Sequence, residues 1–256
     1  MSNLALVAHQ FRYDQRVFWR NPASVFFTIL LPLIFLFIFS SIFGSDRIEE
    51  RGGITIATYY VPGIMTLAVV SATLVSLAIA LTEARESGRL KRVRSTPLPV
   101  WAFVAGRIGN ALVTSLLMAL VVSVIGWVFY DVELPSQTIP ALLLSLVVGA
   151  FAFSCLGFAL TALIPSEDAA PAITNVTVLP LYFLSGVFIP ETEIPDRVLD
   201  IASVFPIRNF FETLLTAYDP FTTGAGFELG HLAVVAAWGL GGLALAARYF
   251  RWAPRS

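Results

Sequence analysis

The chain has 256 residues, 57% of them hydrophobic and 13% charged, with a mean hydropathy of +0.80 and a formal net charge of −1. That leaves too little polar surface to clothe a soluble globule, so residues 1–256 read as one all-α integral membrane domain, with lipid around it and no nucleic-acid partner. A single cysteine, Cys155, excludes an internal disulfide, paired-cysteine redox chemistry and a cysteine-rich metal site, and is expected to pack as a small apolar residue.

In chain order the first element is an amphipathic helix over residues 1–21. Leu4, Val7, Phe11 and Phe18 recur at helical spacing, while Arg12, Arg16 and Arg20 recur every four on another face. Such a helix lies in the membrane interface, and Trp19 suits that depth. Six uncharged runs follow: Pro22 to Ser45, Ile54 to Thr82, Ile108 to Tyr130, Leu134 to Ser166, Ala169 to Pro190 and Leu229 to Ala247. A helix rises ~1.5 Å per residue and needs roughly 20 residues to cross the hydrocarbon, so the runs predict six transmembrane helices. The loop from Asp46 to Arg51 is too short for a folded domain.

Between the second and third runs, Glu83 to Arg107 carries six of the 16 positive charges. Between the fifth and sixth, residues 191–227 are broken by Pro195, Pro206 and Pro220 yet too apolar for a solvated loop. They predict two short re-entrant helices dipping into the outer leaflet, with a turn near Phe205 to Asn209. Phe205, Pro206, Arg208, Phe211 and Glu212 form the heart of that segment, and Arg208 is expected to pair with Glu212 one turn on. In the sixth run Gly239, Gly241 and Gly242 permit close helix contact, and His231 is expected to be a hydrogen-bonded packing residue. The sequon at Asn175 falls inside the fifth run, out of reach of a glycosyl transferase.

Positive residues in short loops stay cytoplasmic. Six spans place Arg12, Arg16, Arg20, the cluster after the second span, Arg248, Arg251 and Arg255 on one side, leaving Arg47, Arg51, Arg197 and Arg208 on the other. Both termini are therefore expected in the cytoplasm, in the cell inner (plasma) membrane. The absent chemistry narrows the function further. The only lysine, Lys91, follows Leu90 rather than a glycine, so no Walker A motif exists and ATP is not bound in that manner. No Asp, Glu, Lys or Arg lies inside the six runs, which disfavours an ion-coupled relay, and no nucleophile with a positioned base is visible.

The charged segment 83–99, with Glu86, Gly88, Leu90, Thr96, Pro97 and Leu98 in order, resembles the coupling helix of type-2 ATP-binding cassette exporter permeases. Leu184 to Pro190, Ile194-Pro195, Phe205-Pro206 and Phe211 to Leu215 look like that family's fifth span and outer re-entrant helices. The second of these begins Phe205-Pro206-Ile207-Arg208, where many members have Asn-Pro and a polar-aromatic pair. In character the chain is closest to antibiotic and multidrug-resistance permeases.

The resemblance implies a half-channel paired with a second permease copy, identical or different. Each copy docks a separately encoded ATPase subunit, two in all, which carries the ATP and Mg that this chain does not bind. Glu86, Arg89, Leu90, Arg92 and Val93 are the expected docking residues. ATP-driven closure would then move spans one, two and five, whose Phe26, Phe35, Phe39, Tyr59, Tyr60, Tyr182, Phe183 and Phe188 would line a path for an amphipathic small molecule, a drug or a lipid-linked cargo. A polysaccharide exporter subunit, a membrane scaffold without transport activity and a membrane-embedded enzyme are the alternatives.

Overall fold

The computed structural model describes residues 3–43, 46–49, 52–95, 99–250 and 252–253. Thr96, Pro97 and Leu98 at the end of the charged segment, Arg51, Arg251 and Arg255 lie outside the described residues, as do the side chains of Leu4 and Val7. Helix α1 (Asn3–Trp19) leads into α2 (Pro22–Val25), a π-helical stretch Phe26–Leu30 and α3 (Leu31–Phe43), which continue one another. Two residues on each strand, β1 (Arg47–Ile48) and β2 (Ile54–Thr55), pair antiparallel with Arg47 opposite Thr55, so the fold is not strictly all-α.

Next, α4 (Ile56–Val70), a π-helical stretch Ser71–Val75 and α5 (Ser76–Glu86) form one rod, followed by the short α6 (Arg89–Arg94) and the long α7 (Val100–Tyr130). The remaining helices are α8 (Ile139–Thr161), α9 (Ala170–Leu184), α10 (Asp196–Ser203), α11 (Pro206–Tyr218) and α12 (Leu229–Tyr249).

Among the described residues, five helices are long and apolar enough to cross a membrane: Phe26–Phe43, Ile56–Glu86, Val100–Tyr130, Ile139–Thr161 and Leu229–Tyr249. The expected fifth span is instead the 15-residue α9, ~22 Å long against a hydrocarbon core of ~30 Å. It stops because the backbone turns at Gly186, whose φ of +87° suits glycine, and Pro190 follows shortly. Helix α7 begins before its uncharged run and includes Arg107.

The rod of α4 lies at the centre. It is apolar on all sides and buried in protein from Tyr59 to Val70. Helices α3, α7 and α11 pack against it. On the far side α8 packs against α12 through glycine: a Cβ on Gly239 would meet the Ala152 Cα at 2.7 Å, and one on Gly242 the Leu156 backbone nitrogen at 3.0 Å. Gly241 faces open space, so two of the three expected glycines make the seam.

Helix α11 is not a surface cap, since Phe210, Phe211, Leu214 and Leu215 are fully buried. The break between α10 and α11 falls at Val204-Phe205, with Pro206 already in the first turn of α11, rather than reaching Asn209. Asn209 Nδ2 donates to the Ser203 and Phe205 carbonyls at 2.6 and 2.8 Å and so ties the break from inside the next helix. That leaves Asn209 Oδ1 as the acceptor for His231 Nδ1 at 2.8 Å, and Trp238 Nε1 donates to Val204 O at 2.8 Å.

Candidate functional site

A cavity of ≈ 720 Å³ runs beside the central rod, walled by Phe27 to Phe39 on one side, Leu67 to Glu83 on the second and α9 on the third. The two π-helical stretches lie on facing walls, Phe27 and Thr28 on one and Ser71, Ala72 and Val75 on the other, and Thr28 and Ser76 share a hydroxyl hydrogen bond of 3.1 Å between them. Stretches of this kind recur at functional sites because the wider turn loosens the helix ladder.

One end of the cavity is aromatic. Phe39 stacks on Tyr60 at 4.9 Å and on Phe35 at 5.9 Å, and Phe188 closes on Phe35, Tyr182 and Phe183 at 5.6, 5.8 and 5.2 Å. The other end is polar, with Asp14, Asn21, Glu83, Arg107 and Asn110 around it. Asp14 is buried between α1 and α7, where Gln10 Nε2 donates to its carboxylate at 3.1 Å and Arg107 Nη1 lies at 3.4 Å. Burial raises the Asp14 carboxyl above its ordinary range, outweighing the lowering effects of Arg107 and Gln10. Phe250 packs on Phe158 near the end of α8 and Trp252 on Phe103 near the start of α7, so residues from both ends of the chain gather near this polar pole.

Of the eight aromatics expected along a path, Phe35, Phe39, Tyr182, Phe183 and Phe188 line the cavity. Tyr60 stands behind Phe39 and donates to Phe188 O at 3.3 Å. Tyr59 is fully buried and donates to Gly186 O at 2.7 Å, so it fastens the end of α9 rather than facing a cargo. Phe26 is 39% exposed and off the cavity wall; its neighbour Phe27 lines the wall instead.

The charged segment is also rearranged relative to expectation. Gly88, at φ +69°, ends α5 and turns the chain into α6, a conformation that costs other residues roughly 1–2 kcal/mol. Leu90 then points inward, 1% exposed, into a cluster with Leu81, Ala84, Phe103 and Phe158. A side chain so covered cannot touch a partner, and Leu90 is corrected from docking residue to anchor. Glu86 is bound to Arg85 at 2.7 Å and only 19% exposed, and Val93 packs partly against the same cluster. Arg89 pairs with Glu83, and the outward face is Arg89, Lys91, Arg92 and Arg94.

At the far end Arg208 lies 3.1 Å from both Glu212 and Glu191 and donates to Ser185 O at 3.4 Å, so the helix-turn partner is joined by a second carboxylate from the turn after α9. Sequence reasoning missed two residues. Asp14 fills the gap in the stripe Val7, Phe11, Phe18, and Arg85 continues the buried stripe Leu77, Ala78, Leu81, Thr82. A charged residue in register with an apolar stripe was the signal for both. Among the described residues no group of three or more His, Cys, Asp or Glu is placed to hold a metal ion.

Residues 5–218 match the family described as ABC-2 type transporter. The chain is 24% identical over 183 residues to the inner membrane transport permease YadH of Escherichia coli, covering 70% of this chain and 71% of that one. It is 29% identical over 216 residues to the daunorubicin resistance ABC transporter permease protein DrrB1 of Streptomyces coeruleorubidus, covering 80% of this chain and 71% of the relative.

Proposed function

Because the chain belongs to the ABC-2 type transporter family and is a multi-pass membrane protein, we propose that it is the permease subunit of an ATP-driven exporter, working as a dimer with a second permease copy. The observation that carries this reading is the long cavity, aromatic at one end and polar at the other, walled by α3, the α4–α5 rod and α9. An amphipathic small molecule matches it: rings stack on Phe35, Phe39 and Phe188 while a polar head meets Asp14, Arg107 and Asn110. The name of the daunorubicin-resistance relative points to the same kind of cargo.

In this reading α9 completes a set of six spans, α10 and α11 are re-entrant from the outer side, and the polar pole, the charged segment and both termini face the cytoplasm. Two ATPase subunits, holding ATP and Mg, dock on the outward face of α6 at Arg89, Lys91, Arg92 and Arg94. That face is a row of cations suited to an acidic cleft. The test is to tag the chain, extract it from its own host in mild detergent and identify what co-purifies. A stoichiometric ATPase with Walker motifs is expected, and its loss on Arg92→Glu with Arg94→Glu would place the contact. Wild-type protein that brings down no ATPase, even after crosslinking through Lys91, would overturn the proposal in favour of a scaffold.

A further inference from the structure

We propose that Arg85 is a positioning residue: it locks the charged segment to the loop that roots the cavity wall, so that a push on the segment is delivered to α9. The proposal rests on the reading that an ATPase docks on that segment.

An arginine that only anchored the chain on the cytoplasmic side would face water or headgroups. Arg85 is fully buried instead. Its Nε donates to Glu86 at 2.7 Å, its Nη1 to the Thr161 carbonyl at 2.9 Å and its Nη2 to the Ile164 carbonyl at 2.7 Å. Thr161 ends α8, where the last carbonyls lack helix partners and carry the negative end of the dipole. A planar guanidinium can hold two such carbonyls in fixed register at once; a lysine ammonium is a single point.

The loop it grips is short and bonded within itself. Ile164 is fully buried, Ser166 Oγ accepts from Ala169 N at 3.3 Å, and Ala170 N donates to Glu167 O at 3.1 Å as α9 begins. From α9, Pro171, Val178, Tyr182 and Phe183 face the cavity. Two residues before Arg85 is Glu83 on the opposite wall, and five after it is the buried anchor Leu90. Apolar packing alone would let α5 slide along α8, whereas the arginine fork fixes their register.

The experiment uses the full chain in nanodiscs with its co-purified ATPase, in a Cys155→Ser background that removes the only cysteine. Spin labels at Ser95→Cys and Glu167→Cys, both exposed and off the docking face, report the distance between segment and loop. With Arg85 present, one narrow distance is expected, unchanged on ATP binding. Arg85→Gln should broaden it, leave ATPase co-purification intact and lower transport per ATP by roughly two- to thirtyfold, the range commanded by residues that couple distant sites. Arg85→Lys, which keeps the charge and folds more safely, should show the same defect. Bridging Ser87→Cys to Leu163→Cys with a short bis-maleimide in the Arg85→Gln protein should restore coupling, which a general folding defect would not permit. A narrow distance and normal coupling in Arg85→Gln would overturn the inference while leaving docking intact. Failure of the wild-type chain to retain an ATPase would instead sink the docking reading, and the distance measured on the chain alone would still decide whether Arg85 sets the register.

Discussion

Phe39 separates a ring that lines a binding surface from a ring that merely packs. It stacks on Tyr60 and Phe35 with interplanar angles of 19° and 23°, and it lines the cavity. An aromatic pair contributes about 0.5–1.5 kcal/mol beyond the area it buries. Phe39→Leu keeps apolar bulk but loses these two pairs and a tilted third with Phe188 at 6.2 Å, so it should cost about 1.5–4.5 kcal/mol of stability. If a bound cargo stacks as a further partner, its Kd should rise by roughly two- to tenfold. Phe26→Leu is the control: Phe26 lies off the cavity wall and loses only an edge contact with Phe27 at 5.3 Å. Binding would be followed by the fluorescence polarisation of an amphipathic aromatic dye with protein in nanodiscs, alongside thermal unfolding. Equal shifts in Kd for the two variants, or lost stability with unchanged Kd in Phe39→Leu, would show that the ring packs and binds nothing.

Two further outcomes are expected. Gly239→Ala forces a Cβ to 2.7 Å from Ala152 on α8 and should cost about 1–3 kcal/mol as an overpacked contact, while Gly241→Ala, facing open space, should leave the melting temperature in detergent unchanged or slightly higher; equal losses would contradict the seam. For Asp14, burial raises the carboxyl above 3.8, so the folded chain holds its proton where the unfolded chain has released it. Its stabilising contribution is then full below the ordinary carboxylate value and is lost as pH rises through the raised one. Asp14→Asn should remove that loss, so melting temperature against pH should diverge from wild type on the upper side only, and parallel curves would refute the burial effect.

Much of this architecture was legible because long uncharged runs have few homes outside a bilayer, and the runs in α3, α4–α5, α7, α8 and α12 coincide with the five helices long and apolar enough to cross one among the described residues. Helix ends were less legible. Hydropathy cannot see that α7 continues through Arg107, or that Gly186 stops α9 early, since one is a matter of packing and the other of backbone dihedral. The two helices after α9 were foretold by their prolines, but the burial of α11 comes from Phe210, Phe211, Leu214 and Leu215 lying on one face against α4, α8 and α12. The site was half legible. Aromatic content picked out Phe35, Phe39, Tyr182, Phe183 and Phe188, yet composition says nothing of direction, so Tyr59, Leu90 and Glu86 were assigned to surfaces from which they turn away.

The two ends of α9 are held with different strength, and on the exporter reading that sets the order of motion. Beyond its C-terminal end, Tyr59 donates to Gly186 O at 2.7 Å, Tyr60 to Phe188 O at 3.3 Å and Arg208 to Ser185 O at 3.4 Å. The two tyrosine bonds are neutral contacts contributing about 0.5–1.5 kcal/mol each, and the Arg208 contact is long and shared with two carboxylates. At the root, Arg85 makes two short charge-assisted bonds, each roughly twice as strong as a neutral one, in a site closed to water. A pull applied through the charged segment should therefore carry the root of α9 as a unit and exchange the outer bonds first, opening the aromatic end of the cavity while the polar end keeps its register. Spin labels at Phe183→Cys and Ala169→Cys distinguish the two ends, and equal displacement of both on ATP binding would reject this order.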